Sequence, residues 1–327
     1  MSTRVLSGTR PTGKLHVGHL LGALENYKKL QGQDAFFMIA DLHALTTEYE
    51  DKTKIAENVM EVVIDYLASG LDPTQCTMFV QSEILEHANL ALLFSMITPI
   101  AWLERNPTYK DQINELKGKE LHTHGFLGYP VLQAADIAIY KAEKVPVGED
   151  QLPHLELARE IIRRFHFLYK KEIFPEPEAV LTQVPKVPGL DGRKMSKSYG
   201  NGIYLADSKD EVVKKVKTMV TDPARKLRSD KGHPEVCPVY FYHKLFNKDQ
   251  VETVAHECRN AARGCVDCKM EMAQKLNEFM DPIRERRELW MKKKTEIRKI
   301  LDRGAKRARE IASQTLKETL QAMGLVS

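Results

Sequence analysis

The stretch TRVLSGTRPTGKLHVGHL, residues 3–20, decides how the chain is read. Its first five residues make a run of strand length. Gly8, Pro11 and Gly13 then turn the chain, and from His16 to about Leu30 the apolar spacing is helical. Three readings of that turn are open. Gly8, Gly13 and Lys14 match the start of the G-x-x-x-x-G-K-[ST] phosphate loop. However, Leu15 stands where that loop needs a hydroxyl for magnesium, and Pro11 removes an N–H from the cradle. His16 and His19 could share a helix face as metal ligands, yet no third ligand lies near them. The third reading makes the helix start itself the site. Gly13 and Gly18 allow close approach, the first amides and the dipole attract phosphate, and His16 and His19 add donors.

Outward from this stretch, strands alternate with helices. DAFFMIAD and CTMFV read as strands, and the short apolar run VPVG leads into a further helix. Helical patterns run through NVMEVVIDYL, where Asp51 is a candidate cap, and through ILEHANLALLFSM, PVLQAADIAIYKA and LPHLELAREIIRRF. Such alternation predicts an α/β fold with a Rossmann-like parallel sheet, and ligands bind beyond the carboxyl ends of such strands. PGLDGRKMSKSYGNG, with four glycines, reads as an exposed loop, and beyond it only helical patterns follow. The expected organisation is a Rossmann-like catalytic domain over 1–205 and a C-terminal all-helical domain over 206–327, whose last helix can pack back on the first.

Of the 327 residues, 43% are hydrophobic and 29% charged, a globular balance. MSTRVLSG has no basic start followed by an apolar run, and ALLFSMITPIAW is short and broken by Pro99, so a cytoplasmic protein without membrane contact is expected. Net charge is +4, but residues 284–309 hold twelve Lys or Arg against four Asp or Glu. Two readings stay open for this excess, a polyanion partner and a solvated helix face.

KMSKS, residues 194–198, adds weight to the helix-start reading. A given five-residue word occurs by chance in this length on the order of once in ten thousand sequences. Lys194 and Lys197 place two ammonium groups on a loop able to cover a nucleotide. PTGKLHVGH and KMSKS together resemble the two signatures of class I aminoacyl-tRNA synthetases, with HVGH where the family has HIGH. SGTRPTGKLHVGHLLGAL, ADLHALT, LDPTQCTMFVQSE, YPVLQAADIAIY, VPVGEDQ and AMGL extend the resemblance over the whole chain, in order, to bacterial tryptophanyl-tRNA synthetases.

That resemblance implies ATP with Mg²⁺, L-tryptophan and tRNA(Trp) as substrates, and a homodimer. It puts His16, His19, Lys194 and Lys197 in the catalytic step. Arg10, Pro11, Thr12, Gly18, Gly148, Glu149, Asp150, Val187, Met195, Ser196 and Ser198 would surround the nucleotide. Asp136 would accept the indole N–H, a polar readout that rejects smaller apolar side chains. His43, Gln133, Gln151, Val145 and Val147 would line the amino-acid pocket. Gln133 departs from members with Met there. Some tyrosyl enzymes pair Gln and Asp at this spacing, so tyrosine is the second candidate substrate. A non-catalytic RNA-binding paralogue is a different class of reading, against which the intact KMSKS and VPVGEDQ speak.

Of five cysteines, Cys76 sits in an apolar run, whereas Cys237, Cys258, Cys265 and Cys268 follow C-x₂₀-C-x₆-C-x₂-C. Four thiolates suit tetrahedral zinc or an iron–sulfur cluster, and metal-free core cysteines are a third possibility. The pattern is similar to that of bacterial tryptophanyl enzymes holding a [4Fe–4S] cluster, whose middle interval is slightly longer.

Overall fold

A computed structural model of the chain describes residues 3–50, 54–107, 109, 122–181 and 186–326. The chain divides into two compact units. One comprises Met1–Gly13, Ala23–Gln183 and Lys293–Ser327, the other Lys14–Gly22 and Val184–Lys292.

In chain order the strands are β1 (Arg4–Thr9), β2 (Asp34–Ile39), β3 (Thr77–Val80), β4 (Lys144–Val147) and β5 (Glu178–Leu181). The helices are α1 (Val17–His19), α2 (Glu25–Leu30), α3 (Asp41–Glu48), α4 (Ile55–Ala68), α5 (Glu86–Ile97), α6 (Ile100–Glu104) and α7 (His124–Ile139). They continue with α8 (Leu152–Tyr169), α9 (Lys209–Thr218), α10 (Pro238–Phe246), α11 (Val251–Arg259), α12 (Cys265–Met291) and α13 (Lys294–Ala322). The helix predicted from His16 to Leu30 begins at Val17, with His16 as its extended cap, and Leu20–Leu24 winds as a π-helix between α1 and α2. The expected cap Asp51 lies outside the described residues.

The first unit is built on a parallel sheet of order β3-β2-β1-β4-β5. β2 and β3 are buried at nearly every position, which is why their sequences are unbroken apolar runs and not alternating ones. Strand order reverses between β1 and β4, so the residues after Thr9 and after Val147 flank the topological switch point. Phe36, Phe79, Phe94, Val131, Ile139, Ile161 and Phe165 form the core, joined by Ala305, Ala308 and Ala312 of α13.

Small residues on α13 let it approach β3 closely. A Cβ built on Gly304 would overlap the carbonyl oxygen of Met78 and lie 2.7 Å from its carbonyl carbon. The basic tract is partly used here. Arg298 pairs with Glu83 at 2.6 Å and Arg307 with Asp34 at 2.5 Å, while Arg303 and Arg309 donate to the carbonyls of Pro73 and Glu83. Half-exposed pairs of this kind contribute ~0–1 kcal/mol each, so they orient α13 while its apolar face anchors it.

The second unit has its own core of Val17, Val187, Met195, Ile203, Val212, Val216, Tyr242, Met272, Leu276 and Met280. Ser208 and Glu211 close a capping box at the start of α9, each side chain meeting the other's backbone N–H. Among the described residues no helix is long and apolar enough to cross a membrane.

Candidate active site

The HVGH segment caps itself. His19 N–H donates to His16 Nδ1 at 3.3 Å, and His16 N–H donates to His19 Nδ1 at 3.2 Å. With both Nδ1 atoms accepting, each neutral ring carries its proton on Nε2. Burial, with the charges of Lys197 and Lys194, pulls His16 down to about 3; burial, His16 and the same lysines hold His19 well below the usual histidine value. Both rings are therefore uncharged Nε2–H donors at neutral pH. This differs from the expected site of open amides, because Val17 N–H is taken by Ile203 O and His19 N–H by His16. Gly18 is needed for this geometry: a Cβ there would sit 3.0 Å from the His16 ring.

KMSKS lies on the same unit. Segment 203–205 pairs with segment 15–17, through Val17 N–H to Ile203 O and Leu205 N–H to Leu15 O, both 2.9 Å. The loop between them is organised by Asn201, which is buried. Asn201 Oδ1 accepts Ser196 N–H at 2.9 Å, and its Nδ2 donates to Asp191 Oδ1 at 2.7 Å and to Lys194 O at 3.2 Å. A side chain on Gly189 would run into Asn201. Met195 is buried with its N–H on Val187 O, Lys194 is exposed, and Lys197 opens a 3₁₀ turn that includes Ser198.

The remaining predicted residues lie on the first unit. Arg10, Pro11 and Thr12 follow β1, and Gly148, Glu149, Asp150 and Gln151 follow β4, the two strands at the switch point. Gly148 sits against Asp150, whose Oδ1 would be 2.7 Å from an added Cβ. Val145 is buried and Val147, Gln133 and Gln151 half-buried.

Asp136 is 2% exposed in the last turn of α7. Its Oδ2 accepts His43 Nε2–H at 2.7 Å, and its Oδ1 accepts Gln81 Nε2–H at 2.8 Å and His87 Nδ1–H at 2.7 Å. Burial alone would raise its pKa, but His43 and His87 outweigh it and hold the carboxyl below the usual value. Nearby, His154 bonds Tyr129 Oη and Asn106 Nδ2, both at 2.9 Å. Sequence reading missed Gln81, His87, His154 and Asn201. His87 left a trace, since it shares the buried stripe of α5 with Leu90 and Phe94.

Cys237, Cys258, Cys265 and Cys268 line one small cavity with Thr221, Asp222, Arg225, Val239 and Arg263. Arg225 Nη1 lies 3.8 Å from Cys258 Sγ, and His243 Nε2 lies 3.3 Å from Cys268 Sγ. Burial, and then the other thiols, push Cys268 up to about 12 against the pull of Arg263. Among the described residues no three His, Cys, Asp or Glu side chains converge as ligands of a single ion.

The sequence family described as class I tRNA synthetases (W and Y) matches residues 1–281. The tryptophan–tRNA ligase of Thermotoga maritima is 53% identical over 327 residues, covering 99% of each chain. The chain belongs to the class I tryptophanyl-tRNA synthetase family. A second family member, from Aquifex aeolicus, is 46% identical over 394 aligned positions, covering 98% of this chain and 100% of that one. Among solved structures, the tryptophanyl-tRNA synthetase of Campylobacter jejuni complexed with ADP and tryptophan matches with a TM-score of 0.88 at 33% identity, covering 99% and 100%. A tyrosyl-tRNA synthetase from Archaeoglobus fulgidus matches less well, at 0.66 and 25% over 87% of this chain and 90% of that one.

Proposed function

We propose that the chain is a tryptophan–tRNA ligase. It joins the carboxylate of L-tryptophan to the α-phosphate of ATP, releasing pyrophosphate, and then passes the acyl group to the terminal ribose of tRNA(Trp), releasing AMP. One observation carries the chemistry: two uncharged imidazole donors stand within the field of two lysines on a single unit. The attacking carboxylate is ionised at neutral pH, so no general base is required, and charge stabilisation supplies most of the rate. His16 and His19 donate to phosphate oxygens. Lys194 and Lys197 neutralise the charge gathering on the departing pyrophosphate, which carries Mg²⁺ with it. Arg10, Pro11, Thr12, Gly18, Gly148, Glu149, Asp150, Val187, Met195, Ser196 and Ser198 hold the nucleotide. Asp136 accepts the indole N–H, and His43, Gln133, Gln151, Val145 and Val147 shape its pocket.

The decisive assay is amino-acid-dependent exchange of labelled pyrophosphate into ATP. Exchange with tryptophan alone is expected. Exchange with tyrosine would reassign the substrate, and none with any amino acid would favour an RNA-binding paralogue. Lys197→Ala should lower the exchange kcat by about a hundredfold or more with tryptophan affinity preserved. Equal losses in both would rule out a role confined to the transition state.

The four cysteines around one cavity support a [4Fe–4S] cluster, with zinc as the alternative occupant. When bound, the cluster would brace the helical region structurally, and Cys237, Cys258, Cys265 and Cys268 would be its ligands. Protein purified without air should contain iron and sulfide in near-equal amounts; stoichiometric zinc in colourless protein would overturn that assignment. The working form is a homodimer in the cytoplasm, where tRNA is charged. Its support is an exposed apolar stripe, Leu85, Leu92 and Met96, beside α5 and along it.

A further inference from the structure

The reading of Asp136 as the indole acceptor leaves open what makes a carboxylate so deeply buried a dependable one. An isolated buried carboxyl tends to take up a proton, and a protonated Asp136 could donate as well as accept. It would then discriminate poorly against a ring with no N–H.

The surroundings of Asp136 answer this. A carboxylate has about four lone-pair directions. Three are occupied, two on Oδ1 by Gln81 and His87 and one on Oδ2 by His43. Among the described residues the direction left without a partner is on Oδ2, so a ligand bonding Asp136 there must bring a donor. His87 is fully buried, and behind it Nε2 lies 2.8 Å from the hydroxyl of Tyr140, itself fully buried. Because His87 Nδ1–H points at a carboxylate, the neutral ring offers Nε2 as acceptor, and the Tyr140 O–H donates to it. Burial and the nearby Asp136 charge keep the Tyr140 proton in place. Gln81 is oriented from the same side: its amide nitrogen faces Asp136, and a flipped amide would set oxygen against oxygen. Gln81 Oε1 itself has no hydrogen-bond partner among the described residues. These partners come from α5, the turn after β3 and the end of α7, so the carboxylate is held from several elements at once.

We propose that His87, fixed in one tautomer by Tyr140, is a positioning residue that keeps Asp136 an acceptor with a single open site and thereby sets the preference for a ring bearing N–H. Gln81 assists from the second lone pair of Oδ1.

The proposal rests on Asp136 reading the indole N–H, and the test separates the two. The probe is 3-(benzothiophen-3-yl)alanine, in which sulfur replaces the indole N–H. The readout is the ratio of kcat/KM for tryptophan to that for the analogue in pyrophosphate exchange. Wild type should prefer tryptophan strongly, and Asp136→Asn should collapse the ratio. Tyr140→Phe, which keeps the ring stacked on Phe36, should reduce the ratio several-fold, and His87→Ala by about tenfold or more, both mainly through the KM for tryptophan. His87→Asn, whose amide can replace the Nδ1–H donor, should recover part of the loss. If Asp136→Asn collapses the ratio while Tyr140→Phe and His87→Asn behave as wild type and His87→Ala, where it folds, does too, the positioning role is wrong. A ratio unmoved in Asp136→Asn would remove the underlying reading and the proposal with it. Tyr140→Phe keeps the experiment decisive should His87→Ala fail to fold.

Discussion

Gly304→Ala is a substitution for which two physical rules give opposite signs. In an unhindered helix interior, replacing Gly by Ala stabilises by about 1 kcal/mol, through backbone entropy. Here the new Cβ would lie 2.7 Å from the Met78 carbonyl carbon, whereas carbon–carbon contacts settle at about 3.5–4.0 Å. The obstacle is the backbone of a buried strand, which has no rotamer with which to yield. Helix α13 would therefore have to withdraw by about an ångström, loosening Ala305, Ala308 and Ala312 from the core. Overpacking of this kind costs about 1–3 kcal/mol, and loss of adjacent contacts places the expected effect at the upper end. Urea unfolding followed by circular dichroism should show an earlier midpoint for the first unit. Heating should show a transition lowered by about 6–12 °C, at 2–4 °C for each kcal/mol. A variant as stable as wild type, or more stable as propensity alone dictates, would refute the close approach of α13 to β3.

Three further outcomes concern the buried histidines and the KMSKS loop. Burial holds His16 down to about 3 and His154 down to about 4, so the folded chain keeps them neutral where the unfolded chain, at ~6.5, takes up protons. Their contribution to stability is thus complete above pH ~6.5 and declines as pH falls toward 4; urea midpoints across that range should fall, and His154→Gln should flatten the slope. For the same reason the exchange rate should show no acidic limb centred at ~6.5 from the HVGH histidines, and such a limb, abolished by His16→Gln, would contradict their assignment as neutral donors. Asn201→Asp sets a carboxylate against Asp191 and removes the donors to Asp191 and Lys194 O, so the KMSKS loop loses its template. The exchange kcat should fall by about a hundredfold with tryptophan binding intact, and an unchanged kcat would show that the loop is shaped by other residues.

β2 and β3 were legible because they are buried and therefore read as short apolar blocks between turn residues, as CTMFV does for β3, whereas β5 has no buried position and did not stand out. The helix LPHLELAREIIRRF was equally plain, its apolar positions falling on one side, and PVLQAADIAIYKA read as a helix too although it is buried all round from Ala134 to Ile139. Contacts between residues far apart in the chain were not legible. Asp136 takes its donors from positions 49, 55 and 93 residues away, and no local pattern marks Gln81 or His43 as its partners. Gly304 read as an ordinary helix glycine, since its reason lies in Met78. The charge of residues 284–309 was visible, but whether it faced a partner, the solvent or the protein's own sheet depended on where α13 comes to rest. HVGH was legible as a donor site, whereas its reciprocal capping, which decides the protonation of both rings, is a matter of side-chain geometry.

The placement of α13 against β3 also constrains how the polypeptide can mature during translation. The five strands emerge from the ribosome early, yet the segment that covers one flank of them is the last of that unit to be synthesised. Residues 184–292, which form most of the other unit, are complete by then and can condense first, since domains fold as units as they emerge. Until residues 294–322 arrive, β3 exposes backbone and apolar surface shaped to receive a helix. A nascent chain stalled before Gly304 would be a natural client for chaperones that shield such surface.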